Sequence, residues 1–168
     1  MPGNFGGDAV TDLLFYDSAA ATGQFYTLDS DIFTLLTTHT GWRRSWSQII
    51  PGTFGGDAYT DLVFYDAAAG LGEFYSVSKG QISQLSSNSG WRHSWKTIVP
   101  GSFSAGATTD LLFYDAGGVA EFYSTRNGKL STLLSSYTNW RTTWTKILPG
   151  TFTGASLSTV VTRQSTTA

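Results

Sequence analysis

The chain repeats itself every 49 residues, and a unit that short cannot bury a core of its own. Pro-Gly-x-Phe begins at Pro2, Pro51, Pro100 and Pro149. Thr-Asp-Leu-(Leu/Val)-Phe-Tyr-Asp runs from Thr11, Thr60 and Thr109, and Trp-Arg-x-(Ser/Thr)-Trp starts at Trp42, Trp91 and Trp140. Laid over 51–99 without a gap, residues 2–50 agree at 25 of 49 positions. The period divides the chain into repeats at 2–50, 51–99 and 100–148, with a partial, degenerate fourth at 149–168. Identity this high points to recent duplication or to a designed or truncated repeat chain, and a period of this size marks stacked repeat architectures.

Within one repeat the signals are those of short strands. Eleven phenylalanines, eight tyrosines and six tryptophans stand beside 19 glycines, a bias toward strands and turns. The second repeat reads as four strands: 45–50, closed by Pro51-Gly52; 61–65; 73–77; and 81–85, after a tight turn at Ser78-Lys79-Gly80. The second is apolar on both faces, the third mixed and the fourth alternating, so burial falls from the inside outward. Four antiparallel strands with that gradient make a β-propeller blade. The expected fold is all-β, with about three blades per chain. The third repeat lacks one residue in the 116–120 loop and regains one near Leu134, both at turns or strand ends.

The run Gly52-Thr-Phe-Gly-Gly-Asp-Ala-Tyr-Thr-Asp-Leu62 resembles the FG-GAP/VCBS-type repeat of integrin-like β-propellers, and the resemblance covers almost the whole chain. In that family the turn between the first two strands often holds calcium through four oxygen-bearing side chains. Carried over by position, these would be Thr53, Gly55, Asp57 and Asp61; Asn4, Gly6, Asp8 and Asp12; and Ser102, Ser104, Gly106 and Asp110. Two carboxylates or one do not fill a calcium shell. The surviving Asp12, Asp61 and Asp110 are expected to act as turn staples accepting backbone N–H bonds, with no metal and no cofactor.

The strand inventory predicts association. The chain opens at the end of a first strand, Pro2-Gly-Asn-Phe5. It closes with another at 143–148 and a degraded second strand at 158–164. Three blades are too few for a ring of roughly 4–8, and an open arc exposes blade faces and strand edges. Head-to-tail pairing of two chains would give about six blades, and three chains about nine. The expectation is a homodimer in which 143–148 of one chain completes the first blade, 12–36, of the next. The alternative is a piece of a longer propeller.

Charge and motifs narrow the function. A formal charge of −2 carries no basic footprint for nucleic acid, no apolar run approaches a membrane span, and there is no cysteine. Residues 1–20 lack a basic start and an apolar signal core, which leans the expected location toward the cytoplasm. No nucleophile motif, P-loop or HExxH appears, and His39 and His93, which read as solvated loop histidines, lack equivalents in the other repeats, so no enzyme activity is expected.

What recurs once per blade is a set of side chains on one loop face. Trp42-Arg43, Trp91-Arg92 and Trp140-Arg141 lie in or beside the connections between blades. Asp17, Asp66 and Asp115 begin the facing loops, and Gln24, Glu73 and Glu121 end them. An aromatic platform, a planar guanidinium and carboxylates form a sugar-binding toolkit, and repetition supplies avidity. The same Trp-Arg pairs suit packing between blades equally well. Trp46, Trp95 and Trp144, placed within the first strand, and Tyr26, Tyr75 and Tyr123 read as packing residues. The functional expectation is a lectin-like module with one shallow site per blade; the alternative is a protein–protein or structural module without a ligand of its own.

Overall fold

The computed structural model describes residues 1–8 and 10–150 and the backbone of Thr159–Val161. The described residues are all-β, with fourteen strands and no helix. The first sheet holds β1 (Pro2–Gly3), β2 (Asp12–Asp17), β3 (Thr22–Asp29) and β4 (Ile32–Thr40). The second holds β5 (Gln48–Gly52), β6 (Asp61–Asp66), β7 (Leu71–Ser78) and β8 (Gln81–Ser89). The third holds β9 (Trp95–Gly101), β10 (Asp110–Asp115), β11 (Ala120–Thr125) and β12 (Leu130–Tyr137). A last pair, β13 (Leu148–Gly150) and β14 (Thr159–Val161), begins a fourth sheet. Every sheet is an antiparallel meander in chain order, so each strand pairs with its sequence neighbour. Most of the degenerate segment expected at 158–164 lies outside the described residues.

Several strand limits differ from those expected. The first strand of the repeat runs Gln48–Gly52 rather than 45–50, and its last counterpart runs Leu148–Gly150 rather than 143–148; only in the third sheet does it reach back to Trp95. Trp46 and Trp144 therefore precede their strands. The Pro-Gly pair, expected to stop this strand, lies inside it, with Pro51 opposite Leu62 and Pro100 opposite Leu111. Proline is tolerated there because β5 and β9 are edge strands, where one row of backbone donors goes unpaired in the sheet. The third and fourth strands also run longer than their apolar cores, Leu71 still pairing with Ser89.

The core lies between sheets, and strand periodicity puts it there. Successive side chains point to opposite faces. Leu62 and Phe64 of β6 pack with Leu14 and Phe25 of the first sheet, whereas Val63 and Tyr65 pack with Ile98, Leu111 and Phe113 of the third. All six residues of β6 and of β10 are buried for this reason. The first strands of successive sheets lie against one another, β1 on β5, β5 on β9 and β9 on β13. At the turn ends the sheets are stitched by backbone bonds that recur one period apart. Thr60 N donates to Asn4 O (2.8 Å) and Thr109 N to Thr53 O (2.9 Å). Gly80 N reaches Phe5 O and Gly128 N reaches Phe54 O, both at 3.0 Å. Gly80 sits at φ +73°, and a Cβ there would meet Thr37, Leu36 and Phe25 of the first sheet. The Lys79-Gly80 turn thus needs its glycine both for the positive φ of a tight hairpin and for close approach.

The three aspartates at the turns behave as staples. Asp61, wholly buried, accepts from Phe54 N (2.8 Å) and Gly55 N through Oδ2, and from Val77 N (3.1 Å) through Oδ1. Asp12 takes Phe5 and Gly6, and Asp110 takes Phe103 and Ser104, in the same way. Burial pushes the Asp61 carboxyl up, and the three N–H bonds pull against it. Oδ1 of Asp12 has no partner, unlike that of Asp61. Asp61→Asn turns an amide against one of three aimed donors and is expected to cost about 1–3 kcal/mol. Asp12→Asn should cost less, because its amide nitrogen can take the vacant side. Urea unfolding midpoints check the order; equal losses would contradict it.

Candidate functional site

Each connection between sheets is clamped before it delivers its side chains. Trp42 N donates to Ala21 O (3.0 Å), Trp91 N to Gly70 O (2.9 Å) and Trp140 N to Gly118 O (2.9 Å). The carbonyl one residue on is held by a tyrosine hydroxyl: Tyr16 on Arg43 O (2.6 Å), Tyr65 on Arg92 O (2.6 Å) and Tyr114 on Arg141 O (2.5 Å). The Trp-Arg turn is therefore fixed at both backbone groups in all three repeats.

The first tryptophan of each internal motif is a wedge. Trp42 lies over Gly23 of β3, where a Cβ would come within 2.3 Å of its ring, and meets the edge of Phe64 at 5.1 Å in the next sheet. Trp91 repeats this with Gly72 and with Phe113 at 5.0 Å, and is 9% exposed. Glycine at these strand positions is explained by the indole, since any side chain would occupy its seat. Of the two readings left open by the sequence, packing between sheets is the one this geometry fits for Trp42 and Trp91. Trp140 packs on Tyr114, Phe122 and Tyr137 and stays half-buried.

The second tryptophan packs as expected, Trp95 at 6% exposure against Phe113 and Trp46 half-buried against Phe64, and also lines a pocket. At the boundary of the first and second sheets, a pocket of about 260 Å³ is lined by Trp42, Arg43, Trp46, Phe64, Glu73 and Tyr75, among others. One period on, a pocket of about 380 Å³ is lined by Trp91, Arg92, Trp95, Phe113, Glu121 and Tyr123, among others. The guanidiniums of Arg43 and Arg92 lie over the rings of Trp46 and Trp95, at 5.5 and 4.9 Å from their centroids, in cation–π geometry. Each also faces a carboxylate. Arg43 Nη2 is 3.8 Å from Glu73 Oε1, and Arg92 Nη2 contacts Glu121 Oε1. About half of each arginine side chain is exposed, while each glutamate side chain is 9% exposed.

The tyrosines, also expected to pack, complete the wall. Tyr75 OH donates to Glu73 Oε2 (2.8 Å) and Tyr123 OH to Glu121 Oε2 (3.0 Å). Glu73 is thus held by Tyr75 on one oxygen and faces Arg43 with the other, which leaves the guanidinium's outer N–H groups toward solvent. Burial pushes the Tyr75 phenol up beyond the ordinary tyrosine range, and its bond to Glu73 adds to the rise. Tyr123 moves the same way for the same reasons.

The loop aspartates fall outside both pockets. Asp66, 2% exposed, accepts from Ser45 Oγ and from Ala69 N (3.0 Å). Asp115 takes Ser94 Oγ, Gly117 N and Val119 N. They shape their loops and tie the next connection down, so their expected part in a polar clamp does not hold for these two. Asp17 and Gln24 line a third, wider cavity of about 640 Å³ on the outer face of the first sheet. Both histidines have backbone partners: His39, half-buried within β4 rather than in a loop, donates from Nε2 to Gly80 O, and His93, exposed in its loop as expected, donates from Nδ1 to Ala67 O, each at 2.8 Å. Among the described residues no group of three or more His, Asp or Glu is placed to hold a metal ion. No protein-family model matches the chain, and no curated protein matches it.

The buried phenols give the fold an alkaline limit. Tyr16, Tyr65, Tyr75, Tyr114 and Tyr123 all sit above the ordinary value of 10, chiefly through burial. Their folded form holds its protons longer than the unfolded chain does. The stability they contribute is complete below pH 10 and is lost as pH rises toward the folded values. The melting temperature is expected to be flat from about pH 7 to 9 and to fall above about 10. Tyr75→Phe should make that fall shallower, and an unchanged slope would contradict the placement of its hydroxyl.

Proposed function

We propose that the chain is a carbohydrate-binding β-propeller module, its three sheets serving as blades and its ring completed by a second copy. Each blade boundary carries one shallow site. The observation that supports it is the recurrence, at both internal boundaries, of one pocket with one donor set: a tryptophan under a half-exposed guanidinium, a carboxylate oriented by a tyrosine, and an aromatic floor. A residue placed only for packing has no need of an open cavity beside it. A sugar ring offers an apolar face to the aromatic wall, where Trp46 is half-buried and Trp95, 6% exposed, is capped by its guanidinium, and hydroxyls to the Arg–Glu pair, which can both donate and accept. Each site is small and open, so single-site affinity is weak and the ring supplies avidity. A structural or protein-binding module is the second reading; the wedge role of Trp42 and Trp91 favours it, since that role serves the fold alone.

Binding decides between them. The purified protein is expected to bind a subset of neutral glycans on an array and to agglutinate cells that display them. Arg43→Ala with Arg92→Ala should abolish this. The protein should stay folded with a lowered melting temperature, because each substitution removes the cation from a glutamate that is 9% exposed and costs more than an exposed ion pair, worth about 0–1 kcal/mol. Binding that survives both substitutions, or an array with no bound glycan, would refute the sugar reading.

A further inference from the structure

The outer face of the first sheet carries half of a third pocket. Phe15, Gln24, Tyr26 and Phe33 lie one period before Phe64, Glu73, Tyr75 and Ile82, which line the pocket on the second sheet. Here nothing covers them. Phe15 is 48% exposed where Phe64 and Phe113 are 1% exposed, and Phe33 is 46% exposed. The floor is nonetheless assembled, with Tyr26 stacked on Phe33 at 4.6 Å and Phe15 edge-on to Tyr26 at 5.5 Å. At the other end of the chain stands the missing half. Trp140-Arg141-Thr142-Thr143-Trp144 repeats the motif that roofs both internal pockets, and the Arg141 guanidinium already lies 5.9 Å over the Trp144 ring. Among the described residues no carboxylate pairs with Arg141.

We infer that Arg141 and Trp144 of one copy close over Phe15, Gln24, Tyr26 and Phe33 of the next, and that this composite pocket binds a sugar bearing a carboxylate. The inference rests on the proposed ring and on the boundary pockets as sugar sites. The second copy is the occupant because the chain twice shows what this face accepts: a Trp-Arg-x-x-Trp turn from the preceding sheet. The ligand class follows from one substitution. Glu73 and Glu121 neutralise their arginines and repel an anionic ligand, whereas Gln24 stands in their place with no charge, and Asp17, the carboxylate that does line this cavity, accepts from Ala20 N (2.9 Å) in its own loop. The Gln24 amide donates to Thr38 Oγ1 at 3.2 Å. The guanidinium of Arg141 then has its planar fork of donors free for a carboxylate, the group that geometry fits in two parallel bonds. The internal pockets take neutral sugars and the composite one an acidic sugar.

Calorimetric titration with methyl glucuronoside and methyl glucoside tests this on the full chain. The wild type should bind the glucuronoside at one site per chain, about tenfold or more tighter than the glucoside there, the worth of one charged hydrogen-bonded pair. Gln24→Glu restores the internal arrangement and should remove that preference, while neutral glycans still bind the two internal pockets. Arg141→Ala should do the same. The two variants, unfolded and refolded together, should regain part of the glucuronoside binding, because a mixed pair carries one pocket with both native halves. No regain on mixing would place the site within one chain and overturn the composite pocket. A preference that survives Gln24→Glu, or no preference in the wild type while neutral glycans bind, would overturn the ligand assignment alone. Loss of neutral binding as well would bring down the boundary-site reading with it.

Discussion

A tryptophan seated between two sheets is the contact on which the other features depend. Trp42 and Trp91 each occupy the space left by a strand glycine in one sheet and meet a phenylalanine edge in the next. Removing a fully buried tryptophan costs roughly 3–5 kcal/mol; Trp91, 9% exposed, comes near that and the half-buried Trp42 less, still a large share of the stability of a small domain. The wedge fixes the spacing of the sheets. Spacing decides whether Leu62 and Phe64 find partners on one side and Val63 and Tyr65 on the other. It also fixes the turn that follows, because the backbone of Trp-Arg is bonded on both flanks. The arginine and the second tryptophan then have one place to go, over the face of the next sheet.

Stability and the candidate site are therefore two consequences of one turn. The first tryptophan holds the sheets together and the second, four residues on, packs on the phenylalanine of the next sheet with a guanidinium above it. The glutamate side chain beneath is only 9% exposed but has both oxygens engaged, so its charge is compensated rather than stranded. This division of labour suits a shallow binding surface: rigid donors held by the fold, with the half-exposed arginine as the adaptable part.

Much of this was legible in the sequence. The 49-residue period, the doubly apolar run at Leu62–Tyr65 and the turn glycines led to four-strand antiparallel sheets, and Asp12, Asp61 and Asp110 emerged as backbone acceptors. Glu73 and Glu121 were expected on the same loop face as Arg43 and Arg92, but the clamp was expected to pair those arginines with the loop aspartates. The second tryptophans, Trp46 and Trp95, pack as expected, and of the two readings open for the first, Trp42 and Trp91 took the packing one while both of each pair line a pocket. Residue type and spacing are the same for both, and only the path of the turn decides which indole enters the boundary; the signal available was Gly23 and Gly72, whose missing side chains mark the seat. Tyr75 and Tyr123 were missed because a tyrosine in a buried strand usually serves packing, and the partner of its hydroxyl lies two residues earlier on the same face, at Glu73 and Glu121. That i, i+2 pairing on one face of a strand was readable. Asp66 and Asp115 were drawn into the site by their place in the loops, but loop aspartates more often bond their own backbone, as these do.

The central claim is that one joint serves every boundary, including the boundary between chains. The mass of the native particle at low protein concentration tests it most directly. The account predicts twice the 18.1 kDa chain mass, persisting on dilution. Three chains would keep the joint and enlarge the ring, whereas a folded particle of a single 18.1 kDa chain would contradict it.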